Sequence, residues 1–198
     1  MGGRMTITMD QACARFEILD RVHLYCHAVD RRRWDLMAEV FHEDATYRFF
    51  SIEGGWRTFV NAAKALIDPM VQTHHQVSNS IVRFETGEIA YSETYLRAYH
   101  IVDADYPTDT FLSLAGGGAV WVGGRYVDRF EKRAGHWRIA HRHGLVDWTR
   151  RAPCVTAGLD GFARDWCGRH GDVDPSLVVI STPSGDERSV PDGADRYR

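Results

Sequence analysis

The hydrophobic period of this chain changes at Pro69. Before it, apolar residues recur every three or four positions; after it, they alternate. Ala12, Phe16, Leu19, Val22, Cys26 and Val29 trace one face of a first helix, with Ile18 and Tyr25 widening the stripe and Asp10 placed to cap it. The run Asp30-Arg31-Arg32-Arg33 ends the stripe. A short second helix is expected over 34–41, a turn at Glu43-Asp44, a short strand over 45–50 and a loop over 51–55. Phe59, Ala63 and Leu66 give the next segment helical spacing, and Asp68-Pro69 stops it.

Strands are then expected over 76–85, 88–102, 112–122, 123–132 and 136–148, with turns at Thr86-Gly87 and Ala134-Gly135. A short terminal helix is expected over 160–169, and from 181 onward Pro, Gly, Ser and charges predict a mobile tail. Runs of helix followed by runs of strand predict an α+β fold. The expected form is a cone: a curved antiparallel sheet wrapped around a long N-terminal helix, with two further helices. A cone has an open mouth and an apolar interior, where small-molecule sites sit.

With 198 residues, one domain is expected. Its core would span 10–150, after a short extension over 1–9 and before a segment over 151–180 that packs on it. The net charge of −3 leaves no electrostatic footprint for a polyanion, so nucleic acid is not an expected partner. No apolar run approaches the roughly 18 residues that span a bilayer, so no membrane is expected either. Cys13, Cys26, Cys154 and Cys167 form no C-x-x-C pair and no signal peptide is legible. They read as free thiols in a reducing, cytoplasmic compartment. Gly116-Gly117-Gly118 and Gly123-Gly124 precede no Lys-Ser/Thr and read as loop and bulge glycines rather than a phosphate loop.

Four segments carry a family resemblance: Tyr25-x4-Asp30-x3-Trp34-Asp35, Phe41-His42-x-Asp44-Ala45, His75-x3-Asn79-x-Ile81, and Gly123-Gly124-Arg125-Tyr126-x-Asp128-x-Phe130-Glu131-x-Arg133-x-Gly135-x-Trp137-Arg138-Ile139. Over about 10–148 the chain resembles the SnoaL-like branch of the nuclear-transport-factor-2-like superfamily. That group includes scytalone dehydratase, bile-acid dehydratase, hexachlorocyclohexane dehydrochlorinase, ketosteroid isomerase, polyketide cyclases and the small subunits of ring-hydroxylating dioxygenases. The resemblance implies a catalytic Asp after the first helix and a His opening a strand, which fall on Asp30 and His75. Tyr25 matches a Tyr of the bile-acid dehydratase, and Arg142 an Arg of the dehydrochlorinase site. The Asp that the bile-acid enzyme carries on a strand is missing here, where Ala98 and then His100 stand. A homo-oligomer, dimer or trimer, is implied by the same resemblance.

These residues suit one chemistry. Removing a proton beside a leaving group needs a base with pKa near the working pH, which imidazole provides. A carboxylate on the far ring nitrogen fixes its tautomer. Asp30 and His75 are the candidate dyad; Tyr25, Tyr95, His100 and Arg142 are candidate donors to a leaving group or enolate. Asn79 and Tyr95, with Trp56 and Trp121 near the expected mouth, are candidate substrate contacts. No cofactor or metal is expected. Each residue also has a structural alternative: Asp30 as a helix-end partner of Arg32 or Arg33, His75 as an exposed loop residue, His100 as a solvated strand end. Tyr25 and Asp30, five residues apart, differ by about 140° around a helix and converge only if the helix ends near Val29.

The expected function is a cofactor-independent acid–base lyase, a dehydratase or carbon–carbon lyase, acting on a small hydrophobic cyclic or aromatic molecule. Alternatives are an isomerase or cyclase, and a non-catalytic partner subunit. The pair His141-x-His143 raises a metal-dependent alternative but lacks a third ligand at diagnostic spacing.

Overall fold

The computed structural model describes residues 7–153 and, beyond them, 155, 158, 162, 167–174 and 176. Contacts divide the chain into two units, Met1–Gly158 and Leu159–Arg198. In the second, one 3-10 turn spans Gly171–Val173, and the Asp174 carboxylate accepts the backbone N–H of Arg169 at 2.7 Å. The helix expected over 160–169 falls largely outside the described residues, as does Cys154; the tail expected from 181 lies wholly outside them.

The first unit opens with α1, Met9–Asp30. Thr8, not Asp10, is its cap. The Thr8 hydroxyl accepts the Gln11 N–H and the Gln11 side chain accepts the Thr8 N–H, both at 3.2 Å. Asp10 lies in the first turn, where its charge suits the positive end of the helix. The buried face runs through Ala14, Ile18, Val22, Tyr25, Cys26 and Val29. Phe16, expected inside, is 72% exposed. The N-terminal half of α1 carries two apolar rows, and the core takes the row of Ala14 and Ile18; both rows share Val22, Cys26 and Val29.

A 3-10 turn, Trp34–Leu36, leads into the one-turn helix α2, Met37–Val40. Strand β1, Phe41–Phe49, begins earlier than expected and runs straight through Glu43-Asp44. The turn signal there appears instead as an irregularity in the register of β1 against a later strand, between Phe41 and Thr46. The loop expected next contains a short strand, β2, Ile52–Gly55, antiparallel to β1. Helix α3, Trp56–Ile67, is as expected.

Four long strands follow: β3, Gln72–Phe84; β4, Ile89–Val102; β5, Gly118–Arg133; and β6, His136–Pro153. The break expected at Gly123 is absent, and β5 is one strand that starts only at Gly118. Gly116 and Gly117 lie in the preceding loop at φ 75° and 77°, a region glycine enters freely. Ala134 and Gly135, at φ 49° and 86°, close the β5–β6 hairpin.

The strands form a six-stranded sheet in the order β2-β1-β6-β5-β4-β3. The expected α+β cone is present, with one refinement: β1 pairs with β6 in parallel, so the sheet is mixed. Bulges at Gly123/Gly124 and Arg129/Phe130 bend the long strands. Helix α1 packs against β3 and β6, and α3 against β1 and β2. Phe41, Val120, Phe130, Trp137 and Ile139 complete the core around α1. Among the described residues, no helix is long and apolar enough to cross a membrane.

The first bulge has a steric basis. A Cβ on Gly124 would lie 1.9 Å from the Leu145 carbonyl oxygen, and that backbone cannot yield without breaking the β5–β6 ladder. A Cβ on Gly87, in the β3–β4 turn, meets nothing within 4 Å. Gly124→Ala is therefore expected to lower stability by about 2 kcal/mol or more, and Gly87→Ala to stay within about 0.5 kcal/mol. Urea unfolding of the two variants beside the parent checks this contrast.

Candidate active site

Between the sheet and the two longer helices lies a cavity of about 90 Å³, several times what one water requires. Phe49, Ile52, Phe59, Phe111 and Val122 are among its apolar walls. The polar residues that line it are Tyr25 on α1, Tyr47 on β1, His75 on β3, His100 on β4 and Tyr126 on β5. Among the described residues, no Asp, Glu, Lys or Arg lines it.

His75 is oriented from behind. Its ring Nδ1–H donates to Asp30 Oδ1 at 2.7 Å, and its backbone N–H donates to Asp30 Oδ2, also at 2.7 Å. Both side chains are nearly buried, at 10% and 8% exposure. Burial alone pushes the Asp30 carboxyl up. Attraction to the His75 ring when it is protonated and the two hydrogen bonds outweigh it and hold the carboxyl below its ordinary value. An ionised Asp30 keeps the proton on Nδ1, so Nε2 on the far side of the ring carries the free lone pair.

Helix α1 ends near Val29, as expected, yet Tyr25 and Asp30 do not converge on the cavity. Its last residue is Asp30. Asp30 does not line the cavity; it reaches the His75 ring, which does. The alternative partners of Asp30 are occupied elsewhere: Arg32 donates to the Met70 carbonyl at 2.6 Å, and Arg33 to Asp35 at 2.7 Å. His75 lies inside β3 rather than in a loop, and its neighbour His74 is exposed.

His100 is buried, not a solvated strand end. Its Nδ1 shares a 3.0 Å hydrogen bond with the Thr73 hydroxyl, and its ring meets His75 edge-on at 5.5 Å. Burial, aided by the neighbouring His75, pushes its pKa down to about 3. At neutral pH His100 is thus an uncharged hydrogen-bonding wall, not a cationic proton donor.

The Tyr25 and Tyr47 hydroxyls are 3.3 Å apart, and both are buried. The Tyr47 ring stacks on Phe59 at 3.5 Å between centroids. Burial raises the pKa of Tyr25; the charge of Arg142 and the hydrogen bond with Tyr47 pull it back only partly.

Arg142, a candidate donor, does not line the cavity. It is fully buried, and Asp128 accepts from its Nε at 2.7 Å and its Nη2 at 2.8 Å. The candidate substrate contacts also fall outside. Tyr95 is 45% exposed because it alternates with Leu96 and Ala98, which take the inner face. Asn79 is exposed where the β3–β4 register slips, between Val77 and Ser80. Trp121 alternates with Val122 and meets Tyr99 at 5.1 Å on the outer face. Trp56 is core, stacked on Phe41 at 5.4 Å.

Tyr47, Thr73, Tyr126 and Asp128 were not in the candidate set. The alternation Ala45-Tyr47-Phe49 marks Tyr47 as inward. Asp128 sits between Tyr126 and Phe130 on one strand face, a carboxylate among aromatics that needs a buried cation. His141 and His143 flank inward Arg142 and so face outward; the His141 ring shares a 2.7 Å hydrogen bond with Thr46. Among the described residues, no group of three or more His, Cys, Asp or Glu side chains is placed to hold a metal ion.

A family model described as a SnoaL-like domain matches residues 10–143. The chain belongs to the SnoaL-like family. No curated protein matches it. Solved structures share its fold. A type-2 hexachlorocyclohexane dehydrochlorinase superposes with TM-score 0.66 at 17% identity, covering 77% of this chain and 98% of its own. A candidate scytalone dehydratase from Novosphingobium aromaticivorans gives 0.61 at 18%, covering 78% and 97%. A protein from Kribbella flavida gives 0.59 at 20%, covering 70% and 94%.

His100 makes stability depend on pH in a defined direction. Its folded pKa of about 3 lies below the ordinary 6.5, so the unfolded chain binds the proton first. Its contribution is complete above pH 6.5 and declines as pH falls towards 3. His42, pushed down to about 4 chiefly by burial, acts in the same direction. His100→Gln is expected to flatten the fall in melting temperature between pH 6.5 and 4 without abolishing it. Thermal unfolding across that pH series reads the slope.

Proposed function

We propose that the chain is a cofactor-independent acid–base lyase for a small, uncharged, apolar cyclic substrate. The observation that carries this reading is the Asp30–His75 pair, whose imidazole lines an apolar cavity together with the hydrogen-bonded tyrosines Tyr25 and Tyr47. His75 Nε2 takes a proton from carbon while Asp30 holds Nδ1–H and stabilises the imidazolium that forms. The electron pair of the broken C–H bond becomes the new double bond as the neighbouring group departs. A departing hydroxide receives the Tyr25 proton and leaves as water; a halide leaves as the anion. After loss of water, proton transfer from His75 to the Tyr25 phenolate restores both residues; after loss of halide, Tyr25 is unchanged and the imidazolium of His75 releases its proton to solvent.

The dehydrochlorinase and dehydratase names among the structural neighbours are consistent with elimination. An uncharged wall disfavours carboxylate and phosphate substrates, because a buried anion there meets no compensating charge. A pure binding subunit has no need for an oriented imidazole inside its cavity.

Cyclic β-hydroxy ketones and halogenated cycloalkanes, incubated with the protein in deuterated water, test this reading by product analysis and deuterium uptake at carbon. Wild-type turnover is expected to fall about 10²–10⁴-fold in His75→Gln, with a smaller fall in Asp30→Asn, which still fills the space behind the ring. Turnover that survives both substitutions at the wild-type rate would sink the assignment.

A further inference from the structure

The buried cation behind the cavity wall is not idle packing. The Arg142 guanidinium carbon lies 4.3 Å from the centroid of the Tyr25 ring and 4.1 Å from that of Tyr126. Asp128 holds the guanidinium from one edge through Nε and Nη2. Nη1 has no hydrogen-bond partner among the described residues, so on that side the aromatic faces are what the charge meets. A cation on the face of a phenol draws electron density from the ring and stabilises its phenolate.

Three tyrosines line the cavity, and only one combines two aids to losing a proton. Tyr126 lies against Arg142 but shares no hydrogen bond with Tyr47 among the described residues. Tyr47 shares the 3.3 Å hydroxyl contact, yet its ring is not against the guanidinium. Tyr25 has the cation on its ring and the Tyr47 hydroxyl at its oxygen. Its ring is also wedged edge-on between Phe41 at 6.1 Å and Tyr126 at 5.4 Å, which fixes its direction.

We propose that Arg142, clamped by Asp128, is a positioning residue that singles out Tyr25 as the proton donor of the cavity. Arg142 touches no substrate space; it acts through the Tyr25 ring. Burial pushes all three hydroxyls up and Arg142 pulls all three back, so what distinguishes Tyr25 is its geometry: the cation on its ring together with the hydroxyl contact. Cys26 on α1 and Asp128 on β5 push Tyr25 up, Tyr47 on β1 pulls it down, and His75 on β3 and His100 on β4 face the same cavity. Helix α3 brings no titratable group to the lining.

This inference rests on the acid–base reading of the cavity, but its test needs no substrate. Fluorotyrosine, which ionises at lower pH than tyrosine, is incorporated at all eight tyrosines, and the 19F resonances are assigned by single Tyr→Phe variants. In the wild-type protein Tyr25 is expected to ionise before Tyr47 and Tyr126. In the charge-free double variant Arg142→Gln/Asp128→Asn its midpoint is expected to rise by about one pH unit, a tenfold change, with the fold checked by circular dichroism. Arg142→Lys, which keeps the cation, is expected to hold the midpoint nearer the wild-type value. Either of two results overturns the proposal: Tyr47 or Tyr126 ionising first in the wild type, or an unmoved Tyr25 midpoint in the folded double variant. Such a result leaves the His75→Gln turnover test standing, and a failure of that test leaves the titration order as measured.

Discussion

One carboxylate ties the end of α1 to the last strand of the sheet. Asp30 stands at the negative end of a 22-residue helix, where a carboxylate is poorly placed unless donors meet it. His75 supplies two, from its backbone and its ring. Among the described residues strand β3 is an edge that pairs with β4 alone, so the outward N–H of His75 meets no strand partner there. The same two bonds therefore answer two local deficits. They also leave the imidazole with one orientation and one tautomer, which is the property a base requires.

The cavity is built on a division of charge. Among the described residues its wall carries no carboxylate, ammonium or guanidinium group and is made of aromatic and aliphatic groups with two imidazoles and three phenols. Full charges lie one layer back, as Asp30 behind His75 and as Arg142 with Asp128 behind Tyr25 and Tyr126. A buried ion pair contributes little net stability over an apolar replacement, and losing one partner strands the other. Its value here is directional: polar contacts in an apolar surround are felt more strongly than in water. An uncharged wall meanwhile keeps the space open to apolar molecules.

Much of this was legible in the residues, for identifiable reasons. The change of period at Pro69 separates helices from strands because side chains repeat every 3.6 residues in one and every two in the other. The Asp30–His75 pair followed from a family resemblance carried by the spacing His75-x3-Asn79-x-Ile81. What failed depended on three dimensions. Phe16 lies on a second apolar row of α1, and sequence alone does not say which row a sheet will cover. Glu43-Asp44 is a turn signal absorbed by a bulge, because β6 pairs with β1 across it. Tyr95, Asn79 and Trp121 have polar or aromatic character suited to a substrate, but the parity of their strands points them outward. The resemblance makes Arg142 a candidate donor into the cavity; its guanidinium satisfies Asp128 instead, a partner visible in the pattern Tyr126-Asp128-Phe130 only when a carboxylate between inward aromatics is recognised as demanding a cation.

Helix α1 sets both sides of the cavity at once. Tyr25 and Asp30 are five residues apart, so they are separated by about 7.5 Å along the helix axis and about 140° around it. That offset would be a defect if both had to touch one substrate atom. It suits an arrangement in which one residue lines the cavity and the other stands behind an intermediary: Tyr25 is part of the lining, while Asp30, turned away, holds the His75 ring on β3. The His75 ring and the tyrosine pair thus line the cavity from different elements. Both are referenced to one rigid helix, whose buried residues Val22, Cys26 and Val29 hold it in the core. A shift of α1 by a single residue would turn Tyr25 out of the cavity and Asp30 off His75 together, so the packing that stabilises the helix is also what keeps the two halves of the site in register.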